Sequence, residues 1–349
     1  MKMNPRLLPM GTLLVGALMC SGCARPDAST DQPTLTLYTS VDDTFAEMVI
    51  DAFTEQTGIK VHVLGDTEAT KTTGLITRVM AEMDQPIADV WWSSEPMGTI
   101  LLDQAGALEP GAMAGMVGED WPEALHSPDW SWIGNAMRAR VIVYASDRVD
   151  TPPTTLAELT DPRYKGIVGM ARPQFGTTRI HMAILADTWG IELFSKWLAE
   201  MENNDLRLYD GNARVVQAIA MGEIDIGLTD TDDVWSGQRN GWKVELVYES
   251  IADHPNWPST GPALIPNTVA IIKNSSNQEL AKELAAFLVS PAVEELLYQS
   301  TTGNTPVHPT LRDQYGDDLL DIDQLPDYLG ASSKVREAID ACELVLISP

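Results

Sequence analysis

The stretch Gly227-Leu228-Thr229-Asp230-Thr231-Asp232-Asp233-Val234-Trp235 leads from a buried strand into three carboxylates at a helix start. From 224 to 229, isoleucine or leucine alternates with polar or small residues, which is the period of a strand. Thr231 or Asp232 then suits the N-cap of a helix through Asn240. Three acids this close repel one another, so unless water solvates them they need a positive charge or helix donors nearby. A solvated acidic loop with one capping aspartate would give the same pattern.

Outward from this stretch, strand-like and helix-like segments alternate along most of the chain. Strands are predicted at 35–38, 59–64, 88–92, 139–144, 167–170, 206–209, 224–228 and 268–272, with most helices between them. This alternation predicts an α/β fold with mostly parallel sheets flanked by helices. In such sheets ligands bind beyond the carboxyl ends of the strands, so we expect the loops after these strands to converge on one edge.

Length and charge narrow the classes of function. The chain has 349 residues with 44% hydrophobic content, which favours two domains over one. Its formal net charge of -27 argues against nucleic acid and against anionic membrane surfaces as partners. We therefore expect an acidic protein that works outside the cytoplasm or at high salt.

The N-terminus is typical of an exported protein. Lys2 and Arg6 precede an apolar run at 7–19 that is too short to span a bilayer. Cys20-Ser21-Gly22-Cys23 resembles the lipobox of bacterial lipoprotein precursors, which implies a signal peptide over 1–23 and lipidation of Cys23. Cys20 stands where that pattern prefers leucine, so cleavage without lipidation is the alternative.

The segment that follows Cys23 reads as a tether. Residues 24–33 are rich in Asp, Ser, Thr and Pro, which suits a link between an anchor and a folded body. With Cys20 removed and Cys23 acylated, Cys342 would be left alone. We therefore expect neither a disulfide framework nor a cysteine metal site.

Short motifs recur in a characteristic order along the chain. They are LTLYTS at 35–40, TGIKV at 57–61, ADVWW at 88–92, GALEP at 106–110, YKG at 164–166 and IPNTVA at 265–270. Their order and spacing resemble those of the periplasmic solute-binding proteins of ABC importers, over residues 34 to 310. Within that group the chain is most similar to the iron(III)-binding branch, whose relatives bind thiamine or phosphonates.

This resemblance implies a two-lobe periplasmic-binding-protein fold of type II. Each lobe would be a mostly parallel sheet flanked by helices, and two crossing strands near 136–141 and 262–269 would form the hinge. Lobe one would comprise 34–136 plus 264–349, and lobe two 137–263. The resemblance also implies a monomer without enzymatic activity or catalytic cofactor, held in the periplasm or cell envelope. It would touch the membrane only through its lipid anchor and deliver a small ligand to an ABC permease in the inner membrane.

The ligand residues implied by the resemblance are mostly acidic. Family positions for metal ligands fall on Asp42, Glu95, Asp232 and Asp233. The last two stand where iron(III) binders carry adjacent tyrosines, which is a departure from the pattern. Four carboxylates still suit a hard cation that prefers oxygen, so ferric iron is the expected ligand.

A small anion would accompany the iron in such a site. Phosphate or carbonate would meet the start of a helix in lobe two. The residues placed there are Gly176, Thr177, Thr178, Arg179 and Asn212, and the residues expected to line the cleft are Tyr38, Ser40, Thr67, Trp92 and Asp230.

Two other kinds of ligand, and an enzyme, stay open as alternatives. Trp91, Trp92 and Trp235 suggest an aromatic box for an organic cation such as thiamine. A zwitterion such as 2-aminoethylphosphonate would place its amine on the acids and its phosphonate on the helix start. A metal-dependent hydrolase is disfavoured, because the five histidines have no ligand spacing and neither a serine elbow nor a phosphate-cradling loop occurs.

Overall fold

The structure is a computed structural model that describes residues 34–66, 73–248, 262–323 and 325–347. Cys23, the tether at 24–33 and Thr67 lie outside the described residues, as does the segment 249–261. Within the described ranges, every helix is too short or too polar to cross a membrane.

The described residues form nine strands and eleven α-helices. The strands are β1 Thr34–Thr39, β2 Lys60–Gly65, β3 Val90–Ser93, β4 Trp132–Ala145, β5 Val168–Ala171, β6 Arg207–Tyr209, β7 Ile226–Asp230, β8 Val244–Val247 and β9 Leu264–Ile271. The helices are α1 Asp43–Thr57, α2 Thr73–Ala81, α3 Pro96–Gln104, α4 Gly176–Trp189, α5 Ile191–Asn203, α6 Asn212–Ala220, α7 Thr231–Arg239, α8 Gln278–Leu288, α9 Pro291–Gln299, α10 Pro309–Tyr315 and α11 Tyr328–Cys342.

The strands form one mixed sheet in the order β2-β1-β3-β9-β4-β7-β5-β6, with β8 also paired to β4. β1 is parallel to β2 and β3, and β5 is parallel to β6 and β7. Every pairing of β4 and β9 is antiparallel. The α/β class is confirmed, and the two long strands that join the parallel groups make the sheet mixed.

Strand β4 belongs to both groups. Its residues 132–139 pair with β9, and its residues 140–145 pair with β7 and β8. All of its residues except Tyr144 are buried, because both faces of the strand are covered. The sequence predicted only the second half of this strand, since Gly134 and Asn135 interrupt its apolar pattern.

A bulge at Ala136 bends β4 between its two halves. Ala136 has φ +40°, and the register with β9 shifts between Asn135 and Met137. A bulge leaves backbone groups outside the ladder, and here side chains satisfy them. The Ala136 N–H donates to Glu294 Oε1 at 2.8 Å, and its carbonyl accepts from Asn267 Nδ2 at 2.6 Å.

Helix α11 packs mainly against α4 and also contacts α3 and α5. Its buried Cys342 shares a hydrophobic cluster with Trp197 of α5. The assignment of 264–349 to lobe one and 137–263 to lobe two stays a prediction. The contacts of α11 link the end of the first range to helices of the second.

Candidate functional site

A cavity of about 620 Å³ lies where the loops after β1, β5, β6 and β7 meet. The residues that line it are Val41, Asp42, Phe45, Ser94, Arg138, Ala171, Arg172, Phe175, Gly176, Thr177, Thr178, Asp210, Gly211, Asn212, Ala213, Asp230, Asp232, Asp233, Asn267, Leu297, Thr302 and Asn304. The expected convergence of strand-exit loops is therefore present, and the acids of the opening stretch lie inside a cavity.

Three carboxylates converge at the junction of β7 and α7. Asp230 ends the strand, and Asp232 and Asp233 lie in the first turn of the helix. One carboxylate oxygen from each lies within 4.8 Å of the others. Asp42, from the loop after β1, lines the same cavity. The structure thus brings together three of the four predicted metal ligands, with Asp230 as a further carboxylate.

Crowding and burial change the acidity of this cluster. Burial, reinforced by Asp230 and Asp42 and opposed by Arg138, raises the pKa of Asp232 to about 6. Burial together with the neighbouring Asp232 and Asp230 carboxylates holds the pKa of Asp233 well above its ordinary value. The Oδ1 atom of Asp232 has no hydrogen-bond partner among the described residues. Entry of a cation would therefore relieve repulsion within the cluster.

Two arginines that the sequence analysis missed hold Asp230. Arg140 Nη1 lies 2.8 Å from Asp230 Oδ1, and Arg138 Nε lies 3.4 Å from Asp230 Oδ2. Burial raises the pKa of Asp230, but the Arg140 and Arg138 guanidiniums outweigh it and bring that pKa below its usual range. Asp230 is therefore an ionised carboxylate already committed to internal partners.

A wall of hydroxyl and amide groups faces the acids. Thr177 Oγ1 donates to Asp230 Oδ2 at 2.5 Å, and Asn212 Nδ2 donates to the same oxygen at 2.9 Å. Gly176, Thr177 and Thr178 form the first turn of α4, where helix geometry leaves backbone N–H groups without intrahelical acceptors. Four of the five predicted anion-binding residues thus line one side of the cavity.

Arg140 and His181 lie behind these hydroxyl and amide groups. Arg140 Nε lies 3.4 Å from Nδ1 of His181, which is only 2% exposed. Burial and the Arg140 charge lower the pKa of His181 to about 3, so this ring is neutral.

Two predicted ligand residues lie outside the cavity lining. Glu95 caps α3, with Oε2 accepting from the Met97 N–H at 2.6 Å and Oε1 from the Gly98 N–H at 2.9 Å. Arg179 lines a different cavity of about 470 Å³ between α3, α4 and α11. The placement of Glu95 among the metal ligands and of Arg179 at the anion is therefore corrected by the structure.

Three of the five predicted cleft-lining residues are core residues. Tyr38 is 1% exposed and donates to Glu82 Oε2 at 2.9 Å. Ser40 is buried against Ser93, with 3.1 Å between their Oγ atoms. Trp92 has no exposed surface. These predictions are wrong because the first-strand and third-strand side chains pack inward, whereas Asp230 does line the cavity and Thr67 lies outside the described residues.

The aromatic box is also absent from the described cavity walls. Trp91 is fully buried, and its Nε1 donates to Thr99 Oγ1 at 2.7 Å. Trp235 packs against Gly303, which leaves room for the ring because it has no side chain: an added Cβ would come within 2.6 Å of the ring. Phe45 and Phe175 are the aromatic residues among the lining residues given above.

Known proteins match most of the chain. Residues 48–320 match the family described as bacterial extracellular solute-binding protein. Iron uptake protein A1 of Synechocystis sp. is 26% identical over 346 residues, covering 93% of each chain.

Solved structures share the fold. The iron and citrate complex of Trichodesmium FutA has a TM-score of 0.74 at 22% identity, covering 90% of this chain and 100% of that one. The periplasmic binding protein AfuA of Actinobacillus pleuropneumoniae, with fructose-6-phosphate bound, has a TM-score of 0.74 at 18% identity, covering 90% and 99%. These likenesses confirm the predicted periplasmic-binding-protein fold. Since the family match extends over most of its length, the chain belongs to the bacterial extracellular solute-binding proteins.

Proposed function

We propose that the protein captures ferric iron, together with a small anion, for uptake by an ABC importer. The observation that carries this proposal is the convergence of Asp230, Asp232 and Asp233 within 4.8 Å inside a cavity that Asp42 also lines. Carboxylate oxygens are the ligands that hard cations prefer. The likeness to an iron uptake protein over 93% of both chains supports the same ligand.

The anion has a separate place in the proposed site. Phosphate or carbonate would bind at the first turn of α4, where backbone N–H groups have no intrahelical acceptors. Thr177, Thr178 and Asn212 line the same wall, and in the structure their side chains are hydrogen-bonded to Asp230 and to one another. Metal and anion would then neutralise each other across one cavity.

The cellular setting of the proposal follows the family. The protein acts in the periplasm or cell envelope, hands its ligand to a permease in the inner membrane and catalyses no reaction. We further propose that Cys23 carries a lipid anchor, since the chain around it resembles a lipobox. Mass spectrometry of the membrane fraction tests the anchor, which a mature N-terminus without an acyl group would exclude.

Metal analysis and thermal unfolding test the ligand. Protein purified without chelators is expected to contain iron, and ferric ion with phosphate or carbonate is expected to raise the melting temperature of the apoprotein. The double variant Asp232→Ala/Asp233→Ala should lose that shift. Asp210→Asn is the matched control, because Asp210 lies at the rim with its side chain 92% exposed. An unchanged shift in the double variant would remove both acids from the site.

A second candidate ligand is a small organic phosphate or phosphonate that carries a positive group, such as 2-aminoethylphosphonate. None of the described residues that line the cavity is a tyrosine, whereas its hydroxyl and amide wall suits phosphate-like oxygens. The same fold also holds fructose-6-phosphate in AfuA. A thermal shift with 2-aminoethylphosphonate and none with ferric ion would favour this candidate. The burial of Trp91 and Trp92 removes the aromatic support for thiamine.

A further inference from the structure

Arg138 places a positive charge inside the proposed ligand site. It follows the bulge in β4, lines the cavity and is only 9% exposed. Its Nη2 donates to the Ser94 carbonyl at 2.8 Å, and its Nε contacts Asp230 at 3.4 Å. These two contacts fix the guanidinium between the loop after β3 and the acids at the start of α7.

The charges around Arg138 show what it neutralises. Asp230, Asp232, Asp42 and Asp233 all act on its guanidinium. The other charged residues of the described lining, Arg172 and Asp210, pair with each other at the rim at 3.1 Å. The remaining charged residues of the described lining are therefore Arg138 and four carboxylates. Arg140 lies behind Asp230.

A guanidinium in this position has opposite effects on the two halves of a ligand. It repels a cation that approaches Asp42, Asp232 and Asp233, and it attracts an anion that binds at the start of α4. A bare cation thus meets an unfavourable charge in the wild-type cavity. A cation that arrives with an anion is repelled less, because the negative charge of the anion offsets the charge of Arg138.

We propose that Arg138 makes cation binding depend on the anion, so that the cleft selects an ion pair over a bare cation. This inference rests on the proposed function. In thermodynamic terms, Arg138 supplies the coupling between the cation and the anion, and that coupling is reciprocal. Arg179, which the sequence placed at the anion, lines the other cavity and serves as the comparison.

The test measures gallium(III) affinity by calorimetry, since gallium is a redox-inert stand-in for ferric ion. Titrations run with and without phosphate in carbonate-free buffer, on the wild type, Arg138→Gln, Arg138→Lys and Arg179→Gln. We expect phosphate to tighten gallium binding by about tenfold or more in the wild type and in Arg179→Gln. In Arg138→Gln, gallium alone should bind more tightly than it does to the wild type, and the effect of phosphate should fall to less than about threefold.

The expected tighter binding of gallium alone by Arg138→Gln distinguishes the proposed role of Arg138 from a purely structural one. A variant that merely damaged the site would bind gallium less tightly under both conditions. Arg138→Lys keeps the charge, so gallium alone should bind to it no more tightly than to the wild type and phosphate should still tighten that binding. If Arg138→Gln fails to fold, loss of the phosphate effect in Arg138→Lys would overturn the inference. Full phosphate dependence in Arg138→Gln, or its loss in Arg179→Gln, would overturn the inference. A wild type that binds no gallium with or without phosphate would instead count against the proposed function itself.

Discussion

The side chain of His181 is a neutral ring sealed behind the ligand cavity. Because burial and Arg140 lower its pKa to about 3 in the fold, an unfolded chain binds a proton there first as the pH falls below about 6.5. Stability that is present above pH 6.5 is therefore lost progressively towards pH 3. Between pH 7 and pH 5 this single group should cost roughly 2 kcal/mol of unfolding free energy.

Denaturant unfolding of the wild type and His181→Gln at both pH values measures this cost. Glutamine keeps polar atoms near Arg140 but does not titrate, so the variant should lose about 2 kcal/mol less than the wild type between pH 7 and pH 5. Equal losses in the two proteins would mean that His181 takes up its proton in the fold as well.

The missing tyrosines give the proposed iron complex a distinct optical property. A phenolate ligand gives ferric ion strong visible absorption by charge transfer, and Asp232 and Asp233 have no phenolate to offer. The wild-type iron complex should therefore be nearly colourless. Asp233→Tyr should add a visible band on iron loading, which titration in a spectrophotometer measures. A strong visible band in the wild type would show that a tyrosine from elsewhere reaches the metal.

At the level of single residues, the sequence analysis located the acidic cluster but missed the two arginines that contact it. Asp230, Asp232 and Asp233 stood out because three carboxylates follow an apolar strand. Arg138 and Arg140 lay in a segment dominated by apolar residues, and their two-residue spacing was the available signal, since it places both side chains on one face of a strand.

At the start of α3, the carboxylate of Glu95 caps the helix and does not line the ligand cavity. Glu95 accepts two backbone N–H groups of the first turn, which is the work of an N-cap. Glu95→Gln keeps an acceptor oxygen and should bind ferric ion as the wild type does. Glu95→Ala should lose the cap and about 1–2 kcal/mol of stability.

Chemical unfolding and calorimetric titration check the two variants. A folded Glu95→Gln protein that no longer binds the metal would return Glu95 to the ligand set.

The contact between α7 and the loop after α9 depends on a glycine. Gly303 has φ +57°, and a Cβ there would lie 2.6 Å from the Trp235 ring. Gly303→Ala should therefore destabilise the protein through both backbone strain and displacement of Trp235, by more than about 1 kcal/mol.

Gly58→Ala is the control for this change. Gly58 is in the left-handed region with φ +75° and ψ 2°, but an added Cβ there meets no described atom within 4 Å, so it reports the backbone strain alone. Thermal unfolding should give a larger loss for Gly303→Ala, accompanied by a change in tryptophan fluorescence. Equal losses would mean that Trp235 moves aside without cost.

The sequence predicted which segments are helices or strands because hydrophobic periodicity is local. It did not predict which strands pair with each other. The segment at 139–144 was predicted as a strand, but its extension to Trp132 through the bulge required partners distant in sequence. Likewise, the burial of Trp92 and Tyr38 depends on which face of β3 and β1 meets the helices.

Across the whole molecule, α11 connects the end of the chain to the helices behind the anion wall. Its Cys342 is buried in the same hydrophobic cluster as Trp197, and burial raises the pKa of its thiol to about 12. In a Cys20→Ser/Cys23→Ser protein, an alkylating reagent should leave Cys342 unmodified in the fold and modify it on unfolding. Mass spectrometry after timed labelling measures this. Rapid labelling under native conditions would mean that α11 undocks from α4 and α5.

The periplasmic-binding-protein fold was predictable from the order of short motifs, but the docking of α11 was not. The sequence identifies α11 as a helix with one apolar face, and that face carries no information about which neighbour covers it. Because the sequence does not show which helices α11 packs against, the predicted lobe boundaries followed the family pattern.

The bulge in β4 also bears on how the newly made chain reaches its fold. The backbone of Ala136 is completed by Asn267, Glu294 and Asn304, which lie 131 to 168 positions later in the sequence. A polypeptide that emerges from a ribosome or a translocation channel N-terminus first cannot assemble this crossover until nearly all of it has emerged. In the export route proposed above, the nascent protein would therefore stay incompletely folded during translocation and would complete its fold only after crossing the membrane.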